Sequence, residues 1–302
     1  MTTKVFIDGE AGTTGLQIRD RLISRADIQL VQIDHALRKD DAARKEAFAA
    51  ADVAILCLPD DAARAAVALS ADLDTRIIDA STAHRVNPDW AFGLPELSAA
   101  QADRIKTARY VANPGCYSTG AIALLAPLVS AGLVPADAPI TINAVSGYTG
   151  GGKALIAEYD EGTAPAHFVY ATGQKHKHLP EIVEYAGLTG TPIFVPAVGN
   201  FAQGMAVQIP LHLKALGTGA TMESIHDALA AHYSAGGNIS VTPIEDQDSR
   251  IDPTALNDTN RLEISVRGDA ETGRVVLIAV LDNLGKGASG AAVQNLDLMI
   301  GA

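Results

Sequence analysis

Apolar and polar positions follow two rhythms along the 302-residue chain. In the first third, short apolar runs closed by aspartate, glycine or proline alternate with longer segments whose apolar positions recur every three to four residues. Val5–Asp8 is such a run. It leads into Gly9-Glu-Ala-Gly12-Thr13-Thr14-Gly15 and then into Leu16–Ile23, where Leu16, Ile18, Leu22 and Ile23 hold helical spacing. Leu30–Asp34 predicts a second strand, Ala42–Ala50 a helix, Val53–Leu58 a buried third strand, Asp60–Leu69 a helix and Arg76–Asp79 a fourth strand. Strands alternating with helices predict a doubly wound parallel sheet of Rossmann type. Residues 108–112 predict one more strand, Pro114-Gly115 its turn, and Ser118 onward a helix.

The rhythm then changes. Ile140–Val145 predicts a strand ahead of a glycine-rich loop and a helix, and further strand-like runs follow at Ile193–Val198, Met205–Leu213, Ile239–Val241, Arg261–Val266 and Val275–Leu281, with a helix near Met222–Tyr233. Many strands with few helices between them predict an α+β domain on a mixed or largely antiparallel sheet. The expected fold class is therefore α/β, a Rossmann-like sheet followed by an α+β catalytic domain. The expected division is a nucleotide-binding domain over residues 1–112 and a catalytic, oligomer-forming domain over 113–283. The glycine-flanked closing helix, within 284–302, is expected to return to the first domain.

Composition narrows the classes of function. A hydrophobic fraction of 48% against 19% charged residues is a globular balance, and disorder is not expected. Net charge is −12 and no basic run is longer than a few residues, so the electrostatic footprint of a nucleic-acid binder is missing. The longest apolar stretch, near Ala121–Val134, is short for a membrane span and is broken by Pro127, and no apolar signal segment precedes the first strand. Two cysteines in unlike contexts do not form a secreted disulfide framework, so a soluble protein of the reducing cytoplasm is expected.

Candidate chemistry centres on Asn113-Pro-Gly-Cys116-Tyr-Ser-Thr-Gly120. A thiol between a turn and a helix start faces the positive end of the helix, which favours the nucleophilic thiolate. Cys57, inside an apolar strand, reads as a core residue. Gly9, Gly12 and Gly15, with Thr13 and Thr14, suit a turn that lets the backbone approach a pyrophosphate at a helix N-terminus, although G-x-x-G-x-x-G also fits an ordinary glycine-rich turn. Asp34 stands where an acidic residue binds the adenosine ribose of NAD, whereas Arg38 and Lys39 suit the 2′-phosphate of NADP or a solvated helix start. Past the fourth strand, the polar loop through Ser81 and His84 offers Arg85 as an anion-binding candidate or a surface ion pair. Ser146-Gly147-Tyr-Thr-Gly-Gly-Gly-Lys153 suits a phosphate or a carboxylate, or is a flexible loop with a solvated lysine. Lys175-His176-Lys177-His178 is a poor zinc signature, so no metal is expected; it suits acid/base work beside a thiol, or a polar surface turn.

Taken in order, the glycine turn, Asn113-Pro-Gly-Cys116, Gly93-Leu-Pro-Glu-Leu97, His176-x-His-x-Pro-Glu-Ile182 and Asp282-Asn-Leu-x-Lys-Gly-Ala-x-Gly290 resemble the shorter branch of the N-acetyl-γ-glutamyl-phosphate reductases. The likeness covers nearly the whole chain. Aspartate-semialdehyde dehydrogenase shares the superfamily, while Gly115 and the paired histidines favour the reductase. The resemblance implies Cys116 as nucleophile, His176 as its base or ion-pair partner, and His178 as a helper in placing phosphate. It implies NADP, held by Gly9, Gly12, Thr13, Thr14, Gly15, Arg38, Lys39, Ser81 and Asn283. The substrate, a small acyl phosphate, and inorganic phosphate would meet Arg85, Asn113, Ser146, Gly147 and Lys153. A homodimer or homotetramer is also implied, with no nucleic acid or membrane partner. Rivals are reduction of another acyl phosphate, a cysteine hydrolase without nucleotide, and an NADP sensor that makes no use of the thiol.

Overall fold

A computed structural model describes residues 2–245 and 250–302. The chain divides into two compact units, one formed by Met1–Gly115 with Ala288–Ala302 and the other by Cys116–Gly287.

The first unit holds β1 (Thr3–Asp8), α1 (Thr13–Leu22), β2 (Ile28–Val31), α2 (Asp41–Ala50), β3 (Val53–Leu56), α3 (Asp60–Leu69), β4 (Arg76–Asp79), β5 (Ala91–Phe92), α4 (Ala99–Thr107) and β6 (Tyr110–Ala112). All six strands run parallel in the order β2-β1-β3-β4-β6-β5. Because side chains alternate across a strand, each strand feeds two cores. Val5, Ile7, Val53, Ile55 and Ile78 meet Ile18 and Leu22 of α1 and Ile105 of α4 on one face. Phe6, Ala54, Leu56 and Ile77 meet Phe48 of α2 and Ala63 and Ala66 of α3 on the other. Both faces are covered, as a parallel sheet requires.

The second unit holds α5 (Cys116–Ser130), β7 (Thr141–Gly147), α6 (Gly152–Asp160), β8 (His167–Val169), α7 (Leu179–Ala186), β9 (Ile193–Gly199), β10 (Met205–His212), α8 (Leu213–Leu216), α9 (Met222–His232), β11 (Ile239–Val241), β12 (Leu262–Asp269) and β13 (Arg274–Leu281). The closing helix α10 (Gly290–Ile300) belongs to the first unit and packs on α1 and α4, placing Ala292, Leu296 and Met299 in the first core. The second sheet is mixed and seven-stranded, in the order β11-β12-β13-β10-β7-β9-β8. One face is covered by α5, which packs on β10 and β13, with α7 and α9 beside it. A Cβ at Gly120 would lie 2.8 Å from Val207, so glycine is what lets α5 settle on β10. On the opposite face Asn143, Val195, Gln208, Val276 and Ile278 remain half exposed.

The fold class is the expected one, and several boundaries differ. β2 ends at Val31, three residues short of Asp34, because the Asp34 carboxylate accepts from Ala36 N (2.9 Å) and starts a 3-10 turn instead. α5 begins at Cys116 itself, two residues ahead of the expected start. The helices α4, α7 and α8 and the short strands β5 and β8 have no counterpart among the expected elements.

Candidate active site

Cys116 is the first residue of α5, so its thiol lies in the first turn of the helix, at the end that carries the partial positive charge of the helix dipole. The next residue supplies a platform. Tyr117 is 4% exposed, its hydroxyl donates to the Ala197 carbonyl (3.0 Å), and its ring meets those of His176 and His178 at 5.9 Å each and of Phe194 at 5.4 Å. Phe194 in turn packs edge-on against His176 at 4.9 Å.

The loop carrying the histidines is fastened to β9. Gln174, at φ +58°, donates its side-chain amide N–H to the Phe194 carbonyl (3.0 Å) and accepts from Phe194 N (2.9 Å), imitating a strand partner. From there the chain alternates: Lys175 and Lys177 are exposed, His176 is half buried and His178 is 5% exposed at the head of α7. The backbone N–H of His178 donates to His176 Nδ1 (3.1 Å), while Nε2 faces the Tyr170 hydroxyl (3.4 Å). That bond occupies the Nδ1 lone pair, so the neutral His176 ring carries its proton on Nε2. In this tautomer His176 donates; it has no open lone pair to take a thiol proton. The expectation that His176 is the base therefore conflicts with the loop's own hydrogen bonding.

Two phenols lie in electrostatic reach of the thiol. Burial pushes the Tyr117 phenol up, reinforced by Tyr170 and Cys116, with a hydrogen bond to Ser146 working the other way. Burial also pushes Tyr170 up to about 12; its hydrogen bond with Tyr117 opposes the shift, and the Cys116 charge adds to it. Both hydroxyls stay protonated at neutral pH; the Tyr117 proton is committed to the Ala197 carbonyl, which leaves Tyr170 as the donor of the pair. Ser146 is 2% exposed at the end of β7, and Gly147 continues the strand where a Cβ would lie 2.5 Å from the Ala202 carbonyl. Lys153 stands exposed on α6, a helix without a fully buried residue.

Asn283 is 2% exposed in this second unit, where its Oδ1 accepts from Gly204 N (2.8 Å) and its Nδ2 donates to Thr149 Oγ1 (3.1 Å). The expectation that it holds the nucleotide must accommodate an amide already engaged at both ends. Its neighbours Tyr148 and Thr149 donate their backbone N–H groups to the carbonyls of Phe201 and Ala202.

In the first unit, Gly9 (φ +90°) and Gly15 shape the turn ahead of α1. A Cβ at Gly9 would meet the Cys57 carbonyl at 2.4 Å, and one at Gly15 would meet the Gly9 carbonyl at 2.7 Å. Gly12 caps α1 without a side-chain hydrogen bond, leaving Thr13 and Thr14 at a helix start that suits a pyrophosphate. This cradle fits a dinucleotide. Arg38 and Lys39 are exposed, and Arg38 donates to the His35 carbonyl (2.6 Å), so the 2′-phosphate candidates stand on a self-braced turn. Asp79, fully buried at the end of β4, accepts from Ser81 N (2.9 Å), Ser81 Oγ (2.7 Å) and His84 Nδ1 (2.6 Å). Arg85 is 7% exposed and donates to the carbonyls of Asn113 (3.0 Å) and Ala80 (3.2 Å), which makes it a brace as well as an anion candidate. Asn113 donates to the Ala288 carbonyl (2.9 Å) and accepts from Asn295 (3.1 Å), so its amide positions the turn that leads to Cys116.

The second unit thus gathers Cys116, His176, His178 and Ser146. The first carries the glycine turn, Ser81, Arg85 and Asn113. Tyr117, Tyr170, Gln174 and Asn295 escaped the sequence reading. Tyr117 had a visible signal in its place beside the cysteine, whereas Tyr170 had none, lying in an exposed-looking stretch ahead of the histidine motif. Among the described residues no cluster of three or more His, Cys, Asp or Glu side chains is arranged to hold a metal ion, and no helix is long and apolar enough to cross a membrane.

The NAD-binding domain of the semialdehyde dehydrogenases matches residues 5–105, and their dimerisation domain matches residues 116–283. The chain is 54% identical to the N-acetyl-γ-glutamyl-phosphate reductase of Rhizobium leguminosarum, with 99% of each chain covered. It is 53% identical to that of Rhizobium meliloti over the full length of both, and 53% identical to that of Burkholderia lata, covering 99% of this chain and 96% of the relative. Among solved structures, aspartate semialdehyde dehydrogenase from Francisella tularensis superposes with a TM-score of 0.72 at 15% identity, covering 99% of this chain and all of that one. The enzyme from Candida albicans, solved with NADP, gives 0.69 at 14% identity, covering 99% of both. At such identities the structures speak for the fold, while the sequences decide the branch: the chain belongs to the N-acetyl-γ-glutamyl-phosphate reductases of the semialdehyde dehydrogenase family.

Proposed function

We propose that this protein reduces N-acetyl-γ-glutamyl phosphate to N-acetylglutamate 5-semialdehyde with NADPH, releasing phosphate, through a thioester on Cys116. The observation that carries the reading is a thiol in the first turn of α5 followed by Tyr117, whose ring packs against two histidines, with the protonated phenols of Tyr117 and Tyr170 in electrostatic reach of the thiol. The Cys116 thiolate attacks the acyl carbon, an oxyanion forms, and the C–O bond to phosphate breaks. Backbone N–H groups at the start of α5 face the developing oxyanion. NADPH would be held at the Gly9–Gly15 turn and at Ser81 and would supply the hydride that takes the thioester to the thiohemiacetal. Collapse of that adduct expels the thiolate and returns the aldehyde.

The proton assignments follow from the hydrogen bonds. His176, with its proton on Nε2, and the Tyr170 hydroxyl act as donors toward the anionic substrate. Base function then falls to His178, the second histidine, which exchanges the roles expected from sequence. Lys175 and Lys177 add positive charge for phosphate from the exposed side of the same loop. The exposed Arg38 and Lys39 are the candidates for the 2′-phosphate.

In this reading the molecule works in the reducing cytoplasm as a dimer or a dimer of dimers. The half-exposed face of the second sheet, where Val195, Val276 and Ile278 lie among polar residues, is the surface a second copy would cover. The deciding assay is phosphate-dependent reduction of NADP with N-acetylglutamate semialdehyde compared with aspartate semialdehyde. A preference for aspartate semialdehyde would move the enzyme to the neighbouring branch.

A further inference from the structure

Asp282 takes no part in the mechanism above, yet it is one of the most completely engaged carboxylates among the described residues. It is fully buried where β13 ends. Its Oδ1 accepts from Leu284 N (2.9 Å), and its Oδ2 accepts from Asp258 N (2.8 Å) and from Gln203 Nε2 (2.6 Å). Three chain segments thus converge on one charge that burial would otherwise make costly. The backbone carbonyl of the same residue accepts from Gly287 N (2.9 Å), closing a π-type turn over residues 282–287 that runs into the π-helical segment Gly285–Ser289.

That turn is built against the nucleophile. A Cβ on Gly287 would lie 2.7 Å from Cys116 Cβ and 3.2 Å from its Cα, so the bare glycine is the surface on which the cysteine side chain rests. Gly285 is equally constrained: a Cβ there would lie 2.1 Å from the Thr259 carbonyl and 3.0 Å from Asp282 Oδ2. The turn has no slack at either glycine, and the group that sets its entry is the Asp282 carboxylate. Asn283, the next residue, braces Gly204 and Thr149, so one short segment reaches both the cysteine and the loop after Ser146.

We infer that Asp282 is a positioning residue for Cys116, its buried carboxylate fixing the turn that lays Gly287 against the nucleophile. The inference rests on the proposed role of Cys116 for its effect on turnover, whereas its effect on the thiol can be read without turnover. Asp282→Asn keeps the shape and the acceptor for Leu284 N, but turns an NH2 toward two groups that are themselves donors. Gly287→Ala acts at the other end of the turn and forces an adjustment of roughly 0.7 Å or more against Cys116.

The test measures the rate and pH profile of iodoacetamide alkylation at Cys116, with Cys57 scored separately by peptide mass, together with kcat, KM, NADP affinity and the melting temperature. In folded Asp282→Asn we expect the Cys116 alkylation rate at fixed pH to change by about tenfold and kcat to fall about 10- to 100-fold, the scale of a sub-ångström to 1 Å misplacement. NADP affinity should stay within about twofold, since the defect lies in the chemical step and not in uniform binding. Gly287→Ala should move the same quantities in the same direction by at least as much. A folded Asp282→Asn protein with the wild-type alkylation rate and profile overturns the inference and leaves Asp282 a stabilising residue only. If Asp282→Asn does not fold, Gly287→Ala decides, and wild-type alkylation in that variant is equally fatal. Altered alkylation with unchanged kcat would uphold the positioning of Cys116 and instead remove the thiol from the mechanism.

Discussion

At the scale of single residues, the two cysteines illustrate how environment divides one chemistry into two outcomes. Cys116 opens a helix, while Cys57 packs against the core of the first sheet, where burial and then Asp79 and Asp8 push its thiol from 9.0 up to about 12. At pH 8 iodoacetamide should therefore incorporate one equivalent, all of it at Cys116, and Cys116→Ser should abolish both labelling and turnover while NADP still binds. Alkylation of Cys57 in the native protein would contradict its placement. The same shift has a signed consequence for stability. Folded Cys57 stays protonated where the unfolded thiol ionises, so it costs nothing below about pH 9 and progressively destabilises the fold as pH rises from 9 toward 12. Melting temperatures of Cys57→Ala should accordingly decline less over that window than those of the wild type. For the histidines, His178→Asn should shift the alkylation pH of Cys116 upward and lower kcat/KM by about two to four orders of magnitude, the usual contribution of a positioned base. His176→Asn should act more on KM for phosphate. The opposite pattern would restore His176 as the base. From the chain alone the motif was visible, but the two histidines could not be ranked, because their difference is a backbone hydrogen bond to Nδ1.

At the scale of elements, the glycine turn and the histidine loop were legible in unequal degree. The turn's glycines, its strand and its helix stand close together in sequence, and the local pattern carried all three. Gly15→Ala places a methyl 2.7 Å from the Gly9 carbonyl and should weaken NADP binding about tenfold or more, measured by NADPH fluorescence, with the second unit's thiol unaffected. The histidine loop depends instead on Gln174 pairing with Phe194, 20 positions on. Gln174→Ala removes two hydrogen bonds, a loss of about 1–3 kcal/mol. Thermal melts should register it, and alkylation of Cys116 should lose part of its pH dependence. Strand ends misread by two or three residues have similar causes. Ile33 and Asp34 look like a continuation of β2 until the Asp34 carboxylate is seen to cap a turn of its own.

At the scale of the whole molecule, the half-exposed sheet face bearing Val276 and Ile278 yields the remaining prediction. If a second copy covers it, Ile278→Asp should lower the sedimenting mass to that of one chain at micromolar concentration; an unchanged mass would place the contact elsewhere. The sequence by itself determined the alternation of strands and helices, hence the parallel sheet followed by a mixed one, because hydrophobic period is a local property that each segment carries wherever it packs. It also determined the chemical inventory: a thiol after Asn-Pro-Gly, paired histidines, a glycine turn and too little positive charge for nucleic acid. Only the tertiary structure decided which groups serve that inventory. Tyr170, Phe194 and Gly287 come from separate parts of the chain, and their contacts with Tyr117, His176 and Cys116 exist only once α5, β9 and the segment after β13 are packed together. Long-range contacts leave no periodic trace in the residues that make them, which is why the thiol at its turn could be read from the chain and its surroundings could not.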